Sequence, residues 1–190
     1  LVAGGKKTFL GGNIGTPLFT KIAEMMPDDI VVLELSSFQL MNMKISPDVA
    51  VITNITPNHL NIHSDMEEYV EAKKNIFKHQ DENGLVILNY DNEITRSCYD
   101  EAKGKKVYFA SKNKIQNGYF VDVEDGKIKH CENRLRKHVF DTKKMLLRGV
   151  HNFENASCAI LATKEFVDPS AVEKVLTTFK GVEHRLELVK

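Results

Sequence analysis

Net charge is missing from this 190-residue sequence: 26 Lys and Arg stand against 26 Asp and Glu. Such a balance exerts no general pull on nucleic acid or an anionic membrane, so neither is an expected partner and any anion site must be local. Paired cysteines are missing too. Cys98, Cys131 and Cys158 form no CxxC, which argues against a disulfide framework or a zinc ribbon and fits a reducing, cytoplasmic setting. No run approaches the roughly 18 uncharged apolar residues of a membrane span. The start, LVAGGKKTFLGG, lacks the basic stretch and apolar run of a signal peptide and has no initiator Met, while HRLELVK stops in a strand-like segment. Both ends read as cuts through a longer protein. Repeats and low-complexity tracts are absent as well. What is there is 42% apolar and 27% charged, the make-up of a soluble globular chain with one large domain and a core on both sides of a sheet.

Near-continuous apolar runs at Ile30–Leu35 and Asp48–Thr53 suit strands covered on both faces, and Leu85–Leu88 and Lys106–Phe109 repeat the pattern. Between them, Asp65–His79 carries Met66, Tyr69, Val70, Lys73, Ile76 and Phe77 at helical spacing, with Ser64 as the expected cap. Pro17–Met26 and Glu93–Ala102 are further expected helices. The alternation predicts an α/β fold with a mostly parallel sheet flanked by helices. After Asn117 the pattern changes. Tyr119–Val123, Asp125-Gly126 and Ile128–Cys131 make a hairpin with a tight turn, and Val139-Phe140 and Met145–Leu147 look like further strands of a small antiparallel sheet. Helical spacing returns over Asn152–Phe166 and Pro169–Phe179, the latter with Pro at its start.

Four segments carry chemistry. GGNIGTP, with Asn13 inside it, follows a strand and precedes a helix, a place where backbone can approach an anion, though such turns are more often structural. No GxxxxGK[ST] phosphate loop occurs anywhere. In ELSSFQL, Glu34 ends an apolar strand, where burial without a partner would cost several kcal/mol. It is either a ligand for Mg2+ at the carboxyl end of a parallel strand or an edge residue facing water. Ser36, Ser37 and Gln39 beside it favour a polar pocket. ITNITPNHL ends the next strand and brings His59; His63 lies four residues on, but without the HExxH pattern of a zinc protease. Lys73 sits on the apolar stripe of its helix, where a lysine commonly lays its stem along apolar surface. Asn152 and Asn155 in GVHNFEN share a helix face fit for a purine or ribose. Arg185 in GVEHRLE suits a phosphate or a surface ion pair.

In this order and at these spacings GGNIGTP, ELSSFQL, ITNITPNHL, the Ala72-Lys73 pair, GVHNFEN and FKGVEHRLE resemble the Mur ligases, ATP-dependent amide ligases of peptidoglycan precursor synthesis. ELSSFQL is similar to the branch that adds D-glutamate to UDP-N-acetylmuramoyl-L-alanine. The resemblance implies residues 1–190 as one central ATP-binding domain of phosphate-loop NTPase type. Its phosphate loop, UDP-binding domain and amino-acid-binding domain lie outside the sequence, so these residues alone should not turn over. It implies ATP and two Mg2+ as cofactors, those small molecules as its partners, and no protein partner. Glu34, His59 and Lys73 would be catalytic and metal-binding, Asn13, Ser36 and Gln39 substrate-binding, and Asn152, Asn155 and Arg185 ATP-binding. It further implies a carbamylated Lys73. Two unit charges 4 Å apart interact by roughly 4 kcal/mol at an effective dielectric of 20, and an ammonium beside Mg2+ would suffer about twice that in repulsion. A carbamate reverses the sign and offers two hard oxygens. The alternatives are another Mur or folylpolyglutamate-type ligase and a non-catalytic nucleotide-binding module.

Overall fold

The computed structural model describes residues 1–15, 17–57 and 63–181. Two parallel strands come first, β1 (Thr8–Gly12) and β2 (Ile30–Glu34), joined through a 3-10 turn at Leu18–Glu24. A short helix α1 (Ser37–Met41) leads to β3 (Val49–Ile52). Then follow α2 (Met66–Lys78), β4 (Leu85–Asn89), α3 (Glu93–Ser97), β5 (Lys105–Ala110), β6 (Gly118–Asp122), β7 (Lys127–Glu132), β8 (Leu135–Asp141), α4 (Val150–Thr163) and α5 (Pro169–Thr178). Strands β3 to β8 lie side by side in chain order as one six-stranded sheet, parallel from β3 to β6 and antiparallel from β6 to β8. The expected small antiparallel sheet is therefore the continuation of the parallel one, because β6 pairs with β5 on one edge and β7 on the other.

Alternation along β4 shows how the sheet is covered. Ile87 packs with Phe109, Val121, Ile128 and the α4 residues Ile160 and Leu161 on one face. Val86 and Leu88 pack with Tyr69 and Phe77 of α2 and with Cys98 on the other. Side chains two apart share a face, so one strand seeds both cores. All three cysteines are buried and unbridged.

Several boundaries differ from expectation for local reasons. Asp65, not Ser64, caps α2, its carboxylate accepting from the Glu68 N–H at 2.9 Å. α3 stops at Ser97, and Met145–Leu147 is no strand: Met145 closes a 3-10 turn at Thr142–Lys144 and is itself buried. The segment after GGNIG forms the 3-10 turn at Leu18–Glu24 rather than an α-helix. The larger departure concerns β2, whose Val31, Val32 and Leu33 were expected to be covered and are instead 43%, 38% and 46% exposed. Among the described residues β2 pairs only with β1 and β3 only with β4, which leaves both with a free edge. No helix is long and apolar enough to cross a membrane among the described residues. The terminal strand-like segment lies outside the described residues.

Candidate functional site

Asn13 and Glu34 meet at the carboxyl ends of β1 and β2. The Asn13 N–H donates to the Glu34 carbonyl at 2.7 Å, and Gly12 stands opposite Glu34 in the register. Gly12 has φ 106, and a Cβ there would collide with the Glu34 carbonyl oxygen, so only glycine lets the two strand ends close so tightly. The Glu34 side chain is exposed and makes no ion pair among the described residues. Its carboxylate therefore faces outward at the carboxyl end of β2.

Ser36 and Gln39 serve each other. Gln39 N–H donates to Ser36 Oγ at 3.3 Å, while the Gln39 amide oxygen accepts from the Ser36 N–H at 2.9 Å, a reciprocal cap on α1. The polar character of ELSSFQL therefore has a local explanation beside any role in substrate binding. The C-terminal end of α1 is tied as well, by Asn75 Nδ2 donating to the Leu40 and Met41 carbonyls at 3.0 and 3.3 Å. α1 is thus hung on α2, the helix that carries Lys73.

Lys73 and Lys74 are neighbours with opposite surroundings. Lys74 sits 2.7 Å from both Glu71 and Glu101; burial works against its charge, but the two carboxylates outweigh it and hold the ammonium above its ordinary range. Lys73 is half-buried with no acid paired to it among the described residues. Its Nζ lies 5.0 Å from the centroid of the Tyr69 ring, one turn back, and burial pulls its proton affinity down. Tyr69 in turn meets His63 edge-on, and His63 stacks on Phe38. A chain of contacts therefore runs from Lys73 to the turn after Glu34. Sequence reasoning missed the part played by Tyr69 and Asn75; the spacing of Tyr69 and Lys73 at i, i+4 was the readable sign of the first.

Other groups anchor the carboxyl end of the six-stranded sheet. Asn89 and Asn92 donate to the Thr53 and Ile55 carbonyls, both at 2.9 Å, which ties the segment leading toward His59 to the end of β4. Asp91 accepts from the N–H groups of Ser111, Lys112 and Asn113; burial pushes its carboxyl up, but these bonds outweigh it and hold it below the usual range. Ser111 Oγ donates to Glu154, pinning the first turns of α4 to the end of β5. Asn152 and Asn155 sit on those turns, the first donating its amide to the Arg148 carbonyl at 2.8 Å and the second exposed. His59 and Arg185 lie outside the described residues. Among the described residues no group of three or more His, Cys, Asp or Glu is placed to hold a metal ion. Glu34 offers the hard oxygens that Mg2+ takes, whereas Lys73, with no acid paired to it among the described residues, would suit such an ion only if converted to an acid.

A mostly parallel sheet between helical layers, with polar side chains gathered at the carboxyl ends of its strands, is the architecture of an α/β protein, a class in which ligands bind outside those strand ends. Comparison with known families makes this specific: residues 5–163 match the Mur ligase middle domain, and the chain belongs to that family. It is 50% identical over 186 residues to the UDP-N-acetylmuramoylalanine--D-glutamate ligase of Clostridium kluyveri, covering 98% of this chain and 39% of that protein. With the ligase of the same name from Clostridium novyi it shares 47% identity over 190 residues, 100% of this chain and 40% of that one. The chain thus spans about two-fifths of the length of these relatives. Among solved structures, the MurF ligase of Thermotoga maritima in complex with ADP matches at a TM-score of 0.64 and 18% identity, over 97% of this chain and 45% of that one. The MPL ligase from Neisseria meningitides matches at 0.63 and 16%, over 94% and 67%. These structures share the fold.

Proposed function

We propose that these residues are the central, ATP-handling part of a cytoplasmic ligase that joins D-glutamate to UDP-N-acetylmuramoyl-L-alanine in peptidoglycan precursor synthesis. The observation that carries the reading is Lys73. A half-buried lysine with lowered proton affinity and no acid paired to it among the described residues holds more of its amine neutral, and only the neutral amine adds CO2. The nitrogen bonds the carbon of CO2 and releases a proton, leaving a carbamate. Glu34 would hold one Mg2+ and that acid with His59 a second, and when bound these ions would neutralise charge on the ATP phosphates. Gly12 and Asn13 fix the backbone at Glu34, and Ser36 and Gln39 present polar atoms to the sugar-peptide substrate. Asn152, Asn155 and Arg185 would receive the nucleotide. In the reaction a substrate carboxylate oxygen attacks the γ-phosphorus and the bond to ADP breaks. The D-glutamate nitrogen then attacks the acyl carbon, phosphate leaves, and the amide forms.

The exposed apolar face and free edge of β2 support a site completed by further chain, and we propose that residues 1–190 do not turn over by themselves. The test is phosphate release by the full-length protein containing this chain, given ATP, UDP-N-acetylmuramoyl-L-alanine and one amino acid. Turnover with D-glutamate, and its loss with meso-diaminopimelate or with a folate acceptor and L-glutamate, is the expected result. Turnover with either alternative assigns a different ligase; Mg2+-insensitive nucleotide binding without turnover assigns a binding module.

A further inference from the structure

His63 is buried at the entry to α2, and nothing in the proposed chemistry uses it. It is 2% exposed, as is Ser37, and its Nε2 lies 2.9 Å from Ser37 Oγ across 26 residues of chain. Its ring stacks on Phe38 at 5.3 Å between centroids with planes 7° apart, and meets Tyr69 edge-on. Its Nδ1 is buried with no hydrogen-bond partner among the described residues. An unpartnered buried polar atom costs about 1–3 kcal/mol, which a phenylalanine or leucine filling the same space would not incur. Packing alone therefore does not account for an imidazole here. What the imidazole adds is the bond to Ser37.

That bond matters because α1 is five residues long, too short to hold itself, so its placement depends on outside ties. Asn75 supplies the tie at its C-terminal end and His63 the one at its start. Both ties lead to α2 or its entry, and the start of α1 lies three residues beyond Glu34. We propose that His63 is a positioning residue of the ligase reaction. Through Ser37 it fixes the turn that carries Glu34 and Ser36 against the helix that carries Lys73, so that the acid and the amine keep one separation. The proposal rests on the function proposed above.

The test uses the full-length protein containing this chain. H63F keeps the stacked ring and removes the hydrogen bond; H63Q restores a polar atom within reach of Ser37. H63F and S37A are each expected to lower kcat at least fivefold while KM for ATP stays within twofold. The double variant falls no further than the worse single one, because both remove one contact. H63Q recovers at least half of the wild-type kcat. Amide exchange at residues 35–39 speeds up in H63F and not in H63Q. A kcat loss below fivefold in H63F, losses that multiply in the double variant, or an H63Q as impaired as H63F would each overturn the proposal. A wild-type protein that does not ligate refutes the function instead, and the exchange rates then decide separately whether His63 holds the turn.

Discussion

Strands β2 and β4 are both five-residue apolar runs ending in a polar residue, Ile30–Glu34 and Leu85–Asn89. In β4, Val86, Ile87 and Leu88 are fully buried, paired on both edges and covered on both faces. In β2, Val31, Val32 and Leu33 keep roughly two-fifths of their surface in water. An apolar run specifies a strand; whether it is buried depends on neighbours it cannot encode. The molecule divides accordingly. The six-stranded sheet and its two helical layers hold the fold, while the β1–β2 end holds Asn13 and Glu34 and contributes little to the core.

Substitutions should separate the two regions. Phe109→Ala, in the core beneath α4, should cost about 3–5 kcal/mol in urea unfolding, whereas Leu33→Ala in β2 should cost less than about 1 kcal/mol. A loss as large at Leu33 would show β2 to be part of the same core. Glu34→Ala should leave the unfolding midpoint unchanged and lower the full-length ligation rate about 100–1000-fold, near the loss found when a charge-stabilising group is removed. Ser36→Ala should cost about 1 kcal/mol through the lost cap. The smallest effect is Asp91. Its folded carboxyl is held below its unfolded value of 3.8, so its contribution is complete above that pH and fades as pH falls through the folded value. Asp91→Asn should lower stability at neutral pH, where the charged carboxylate contributes in full, and flatten the acid limb of a stability–pH curve.

Much of this was legible in the sequence wherever the signal is local. The Asp125-Gly126 turn set the β6–β7 hairpin, Pro169 opened α5, and period-3.6 spacing located α2 to within a residue at its start. Long-range outcomes were not legible. Glu34 looked like a residue in need of a buried partner, and among the described residues its side chain faces water. The hydroxyl and carboxamide of Ser36 and Gln39 suggested a pocket, and they also cap α1. His63 was visible only as a histidine four residues from another. Its partner Ser37 lies 26 residues back, and only folding shows that the two meet. Lys73 and Lys74 look alike in sequence, yet the turn of the helix sends one to Glu71 and Glu101 and the other onto Tyr69.

That last pair offers the most direct measurement. The full-length protein, equilibrated with 13CO2 and Mg2+, should show one carbamate carbon signal by NMR that is absent from Lys73→Ala and present in Lys74→Ala. A wild-type spectrum without that signal, or one in which the signal survives loss of Lys73, would contradict the account.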